Sequence, residues 1–137
     1  MSKPQFPKEF EALRVLVVDD EEEIRDLVQQ ILRDMGIVRV HLAENGEMAW
    51  QRLSRTELEY DLVISDWLMP RMDGLDLLKK MRQSGSETPF MMLTVKVTGE
   101  AVASAVENGV NLYVAKPFTY GDFSRKVSSL AKQIIEG

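Results

Sequence analysis

Cysteine is missing from all 137 residues. Disulfides, thiol nucleophiles and cysteine-based metal centres are therefore excluded. Histidine occurs once, at His41, and one histidine cannot build a histidine-rich zinc site. His41 has no acidic neighbour on its alternating segment and is expected at the surface. Apolar runs never approach the roughly 20 residues needed to span a bilayer. The opening Met1-Ser2-Lys3-Pro4-Gln5-Phe6-Pro7 has no apolar signal-peptide core. A cytoplasmic protein without a membrane partner is the expectation. Positive charge is also short, with 17 Lys and Arg against 22 Asp and Glu and a net charge of −5. Nucleic-acid binding wants a basic face, so no such partner is expected.

What is present suits one folded domain. The length fits a single unit, and 45% apolar residues can fill its core. Residues 1–13 read as a loose polar lead-in, with Phe6 and Phe10 as minor packing contacts, and residues 14–137 as the domain. Short apolar runs at 14–18, 38–42, 61–65, 90–93 and 112–115 read as strands. Helical spacing marks 21–35, 47–54, 75–82, 99–107 and 120–135. Ile24, Leu27, Val28, Ile31, Leu32 and Met35 form one stripe, and Met48, Ala49 and Leu53 another. Gly36 reads as a left-handed cap that closes the first helix. Strands that alternate with helices imply an α/β fold, a doubly wound parallel sheet covered on both faces.

Five polar signals fall just after the strands. Asp19 and Asp20 follow the first, Asp66 the third, Thr94 the fourth, and Lys116 the fifth. In an open parallel sheet, ligands bind outside the carboxyl ends of the strands, near the point where strand order reverses. Three carboxylates in one cleft repel each other unless a cation joins them. Hard oxygen donors favour Mg²⁺, with Mn²⁺ as the alternative, over zinc. An aspartate can also be a nucleophile that forms an aspartyl-phosphate. Asp66 stands alone at the middle strand and is the candidate nucleophile, with Asp19 and Asp20 on the metal side. Lys116 and Thr94 are candidates to hold phosphoryl oxygens, since phosphoryl transfer needs mainly positioning and charge neutralisation. Taken singly, each has a plainer reading as a helix-dipole partner, a cap or a solvated charge. Their coincidence at one edge favours the chemical reading.

At these residues the chain resembles the receiver domain of two-component response regulators. The resemblance runs from Arg14 to Ile135. It rests on Val17-Val18-Asp19-Asp20, on the run from Asp66-Trp67-Leu68 to Met72-Asp73-Gly74, on Leu93-Thr94, and on Tyr113-Val114-Ala115-Lys116-Pro117-Phe118. Trp67 and the Lys-Pro-Phe-Thr ending look most like the chemotaxis branch of the family. The resemblance implies a flavodoxin-like fold with strand order 2-1-3-4-5. It implies that Asp66 accepts a phosphoryl group from a histidine kinase. It implies Mg²⁺ held by Asp20, Asp66 and the carbonyl of Leu68, with Asp19 acting through water. Lys116 would pair with the phosphoryl group, Thr94 would be the switch hydroxyl, and Tyr113 the switch aromatic. The Lys116-Pro117 bond is expected to be cis. A downstream protein would bind the face made by the fourth helix, fifth strand and fifth helix. Leu68, Val95 and Lys96 depart from the commonest family pattern.

A stand-alone receiver in chemotaxis is the expected function, since the last helix ends the sequence. A phosphate sink or relay intermediate is the alternative within the family. Outside it, the rival is a metal-dependent phosphatase with an Asp nucleophile. Such enzymes usually set nucleophile and acid two residues apart, whereas Asp19 and Asp20 are adjacent. The chain itself is expected to be a signalling domain rather than an enzyme.

Overall fold

The computed structural model describes residues 5–55 and 57–137. Five strands make one sheet: β1 (Arg14–Val18), β2 (Arg39–Ala43), β3 (Leu62–Ser65), β4 (Phe90–Thr94) and β5 (Leu112–Ala115). All neighbours pair in parallel, in the order β2-β1-β3-β4-β5. This is the flavodoxin-like order. The helices are α1 (Glu22–Asp34), α2 (Gly46–Leu53), α3 (Gly74–Gln83), α4 (Gly99–Glu107) and α5 (Tyr120–Glu136). From β2 the chain passes back across β1 to reach β3. That reversal opens a crevice at the carboxyl ends of β1 and β3. Val18 lies level with Ser65, and Thr94 with Ala115. The residues that follow these strands therefore collect at one edge.

The strands run through the core and carry apolar residues on both faces. On β1, Val15 and Val17 join one cluster while Leu16 and Val18 join the other. The first cluster is closed by α1 and α5, through Val28, Ile31 and Leu32 and through Phe123 and Val127. The second is closed by α2, α3 and α4, through Ala49, Leu77, Leu78, Ala101 and Ala105. Side-chain oxygens of Asn45, Asp73, Thr98 and Thr119 accept N–H bonds at the starts of α2 to α5. Gly36, with φ 89°, ends the turn after α1, and the Ile37 N–H reaches the Leu32 carbonyl at 2.9 Å.

Four expectations need correction. Residues 8–12 are not a loose lead-in: Lys8–Ala12 form a short 3-10 helix whose Phe10 is wholly buried. One aromatic ring in an acidic segment anchors it, because burying a Phe is worth about 1.5–3 kcal/mol. Met48 does not face inward. The buried line of α2 runs through Gly46 and Ala49, and Met48 lies about 100° round the helix from Ala49. Leu27 likewise falls outside the buried stripe of α1. His41 is not a free surface histidine. It is half-buried, with Nδ1 2.6 Å from the Tyr60 hydroxyl and the two rings edge to face. Burial lowers its pKa, and Arg52 and Arg14 add to the effect.

Arg82 holds the far side of the sheet together. Its guanidinium donates to the carbonyls of Ser86, Thr88 and Gly109 and to Asn111 Oδ1, at 2.9–3.2 Å. Asn111 Oδ1 also accepts the Phe90 N–H at 2.8 Å. Arg82→Met should strand several of these acceptors and cost about 2–3 kcal/mol. Urea denaturation should show the loss as a lower midpoint. An unchanged midpoint would mean that water replaces the guanidinium without penalty.

Candidate functional site

Asp19 sits one residue past β1, in the turn that leads into α1. Its Oδ1 accepts the Glu21 N–H at 2.9 Å. Arg25, one turn into α1, donates to the Asp19 backbone carbonyl at 2.7 Å. Asp66 sits one residue past β3, and its Oδ1 accepts the N–H groups of Trp67 at 2.6 Å and Leu68 at 3.3 Å. Both carboxylates are thus aimed by local backbone and are almost wholly buried. Lys116, one residue past β5, bridges them: Nζ lies 2.7 Å from Asp19 Oδ2 and 2.9 Å from Asp66 Oδ2. Asp20 completes the group at the mouth, and oxygens of Asp19, Asp20 and Asp66 lie within 4.8 Å of one another. The Lys116-Pro117 bond is cis.

Charge is unevenly shared in this cluster. Burial pushes the Asp19 carboxyl above the usual carboxylate range, despite the opposing pull of Lys116 and the Glu21 N–H. Burial alone would lower Lys116, but its two carboxylate partners outweigh it and hold the ammonium above the usual lysine range. Both members of one ion pair therefore move upward. Burial decides for Asp19, whereas at Lys116 two carboxylate partners outweigh burial. One ammonium balances only part of three carboxylates, so the site suits a further cation.

The structure gathers Asp19, Asp20, Asp66 and Lys116 into one crevice. Thr94 lies at the same edge, buried at the end of β4, with Oγ1 accepting the Lys96 N–H at 3.2 Å. Its own hydroxyl proton remains available to donate. Tyr113 is half-buried on β5, and its hydroxyl donates to the Lys96 carbonyl. Burial, with the charge of Asp66, raises the Tyr113 pKa. The Leu68 side chain is exposed at the rim. The Asp66–Gly74 loop is tightly held: Gly74 N–H donates to the Trp67 carbonyl at 2.8 Å, and Gly46 N–H to the Met72 carbonyl at 3.0 Å. Arg71 in this loop has φ 67°, a left-handed conformation that costs a side chain roughly 1–2 kcal/mol.

Sequence reasoning missed Arg25 as the residue on the Asp19 backbone, and Lys96 as a contact of Trp67. The Lys96 ammonium lies 4.4 Å from the Trp67 ring centroid. No spacing rule links residues so far apart in sequence. Among the described residues, no helix is long and apolar enough to cross a membrane.

Comparison with known proteins agrees with this geometry. The family model described as "Response regulator receiver domain" matches residues 15–128. Chemotaxis protein CheY-3 of Vibrio cholerae is 33% identical over 124 residues, 89% of this chain and 94% of that protein. Chemotaxis protein CheY1 of Helicobacter pylori is 38% identical over 109 residues, 78% of this chain and 87% of that one. The solved Francisella response regulator 1452 receiver domain has a TM-score of 0.80 at 30% identity, covering 88% of this chain and 98% of its own. The chain belongs to the response regulator receiver family. Such domains are signalling modules of two-component systems rather than classical enzymes.

Proposed function

We propose that Asp66 accepts a phosphoryl group from the phosphohistidine of a histidine kinase, and that this changes the surface offered to a downstream protein. The observation that carries the reading is the bridge from Lys116 to Asp19 and Asp66, beside Asp20, in the crevice at the sheet edge. An Asp66 carboxylate oxygen attacks phosphorus. A P–O bond forms, the P–N bond breaks, and the imidazole leaves with the electron pair. Lys116 keeps its ammonium against the transferred group, and Thr94 turns its free proton toward a phosphoryl oxygen. Tyr113, joined to the same loop through Lys96, carries the change outward.

The donor set fits a hard divalent cation. Asp20, Asp66 and the Leu68 carbonyl are the residues to hold Mg²⁺ or Mn²⁺, with Asp19 acting through water. The ion, when bound, supplies positive charge to the oxygens of the transferred group. Residues 14–137 would form the receiver unit, against whose core the short helix Lys8–Ala12 is anchored through Phe10. The output face would be α4, β5 and α5, on which Val106 of α4 is exposed and Tyr113 of β5 half-buried. A chemotaxis role is supported by the two chemotaxis relatives.

Acetyl phosphate with Mg²⁺ should add one phosphoryl group to the wild-type chain and none to Asp66→Asn. Intact-mass spectrometry reads both. Equal labelling of the two proteins would sink the assignment.

A further inference from the structure

Lys96 stands at a junction. Its backbone N–H donates to Thr94 Oγ1, and its carbonyl accepts the Tyr113 hydroxyl. Its ammonium lies 4.4 Å from the centroid of the Trp67 ring. Trp67 is bonded in turn through its N–H to Asp66. One residue thus meets the buried hydroxyl, the aromatic of β5 and the neighbour of the candidate phospho-acceptor.

The ammonium has a physical reason to rest there. An indole face is electron-rich, and a cation over it gains most where water is excluded. Trp67 is buried, so this face is shielded. The loop from β4 to α4 has little else to pin it by side chains on either side of Lys96. Val95 is 59% exposed and Val97 is 53% exposed. The contact with Trp67 therefore ties this loop to the loop that follows Asp66. It also fixes the carbonyl on which the Tyr113 hydroxyl rests.

We propose that Lys96 is a positioning residue. The clasp of its ammonium on Trp67 holds the β4–α4 loop so that Tyr113 stays turned onto the Lys96 carbonyl. It thereby sets the resting bias of the switch. This deepens the phosphoryl-switch reading and takes from it the meaning of Tyr113, but the clasp operates in the unphosphorylated chain and is tested there.

The test uses the full chain labelled with fluorotyrosine and observed by ¹⁹F NMR. The three tyrosines are Tyr60, Tyr113 and Tyr120, and Tyr113→Phe assigns the signal of interest. Lys96→Met keeps the apolar stem and removes the charge. Lys96→Gln, run beside it, removes the charge with a polar end. Lys96→Arg keeps a cation that can sit on the ring. Losing a cation–π contact should raise the displaced Tyr113 population roughly 2- to 30-fold in Lys96→Met and Lys96→Gln. Lys96→Arg should resemble wild type. Unmoved Tyr60 and Tyr120 signals show that each variant is folded. A Tyr113 signal at its wild-type position in folded Lys96→Met or Lys96→Gln would overturn the clasp. Wild-type phosphorylation by acetyl phosphate is scored separately by mass. If it fails while Lys96→Met moves Tyr113, the phosphoryl reading falls and the clasp stands.

Discussion

Lys116→Met should lower the stability of the metal-free protein by about 3–5 kcal/mol at neutral pH, the usual cost of breaking a buried ion pair from one side. The variant leaves two carboxylates without their shared cation. The side chains concerned are 8% exposed for Lys116, 2% for Asp19 and 7% for Asp66. Added Mg²⁺ should recover much of the loss, because a ligand that binds only the folded state stabilises it by mass action. The pH dependence has a definite sign. Because the folded-state pKa of Lys116 is raised, its stabilisation is fully present below the ordinary lysine pKa. It is lost as pH rises through the higher folded value. Asp19 shifts stability in the same direction, starting from a much lower pH. Its raised pKa means that folding becomes harder as pH climbs from its ordinary value of 3.8 through the folded value. Lys116→Met should enlarge that penalty and gain stability on mild acidification. Urea midpoints with and without Mg²⁺, across pH, measure all three effects. An unchanged midpoint and no response to Mg²⁺ would show that the carboxylates are not balanced by Lys116.

The parts of this picture that were legible in the chain are those set by local pattern. Runs such as Leu62–Ser65 and Phe90–Thr94 are buried throughout because both sheet faces are covered, and their apolar stretches, closed by one hydroxyl residue each, stand out. The strand-end aspartates, Thr94 and Lys116 could be placed at one edge because parallel strands share a direction. The failures are equally physical. Lys8–Ala12 is too short and too acidic to show a helical period, and only the tertiary fit of Phe10 holds it down. His41 on β2 and Tyr60, two residues before β3, meet across the intervening β1, so nothing on the β2 segment alone could reveal the pair. The orientation of Met48 depended on the register of a helix only two turns long. Lys96 could be noted as an unusual charge. That its backbone serves both Thr94 and Tyr113 is a property of the folded loop.

The close approaches of backbone were also invisible in the chain, and one of them lies against Asp66 itself. Gly74→Ala should cost about 3 kcal/mol and slow phosphoryl uptake on Asp66 roughly 100-fold. A Cβ at position 74 would overlap the Asp66 carbonyl oxygen and come within 2.9 Å of the Trp67 Cα. These are backbone atoms, which cannot swing aside as a flexible side chain can. The backbone of Asp66 and Trp67 must then shift, and with it the N–H groups that aim the Asp66 carboxylate. Misplacing a reacting group by about 1 Å is enough to lose two orders of magnitude in rate. Gly99→Ala is the matched control, since a Cβ there meets nothing within 4 Å. It should leave both the urea midpoint and the labelling rate near wild type. Initial rates of acetyl-phosphate labelling, followed by intact mass beside the denaturation curves, separate damage to the fold from damage to the site. If Gly74→Ala labels at the wild-type rate, the Asp66 carboxylate is not held in place by the close contact between α3 and the end of β3.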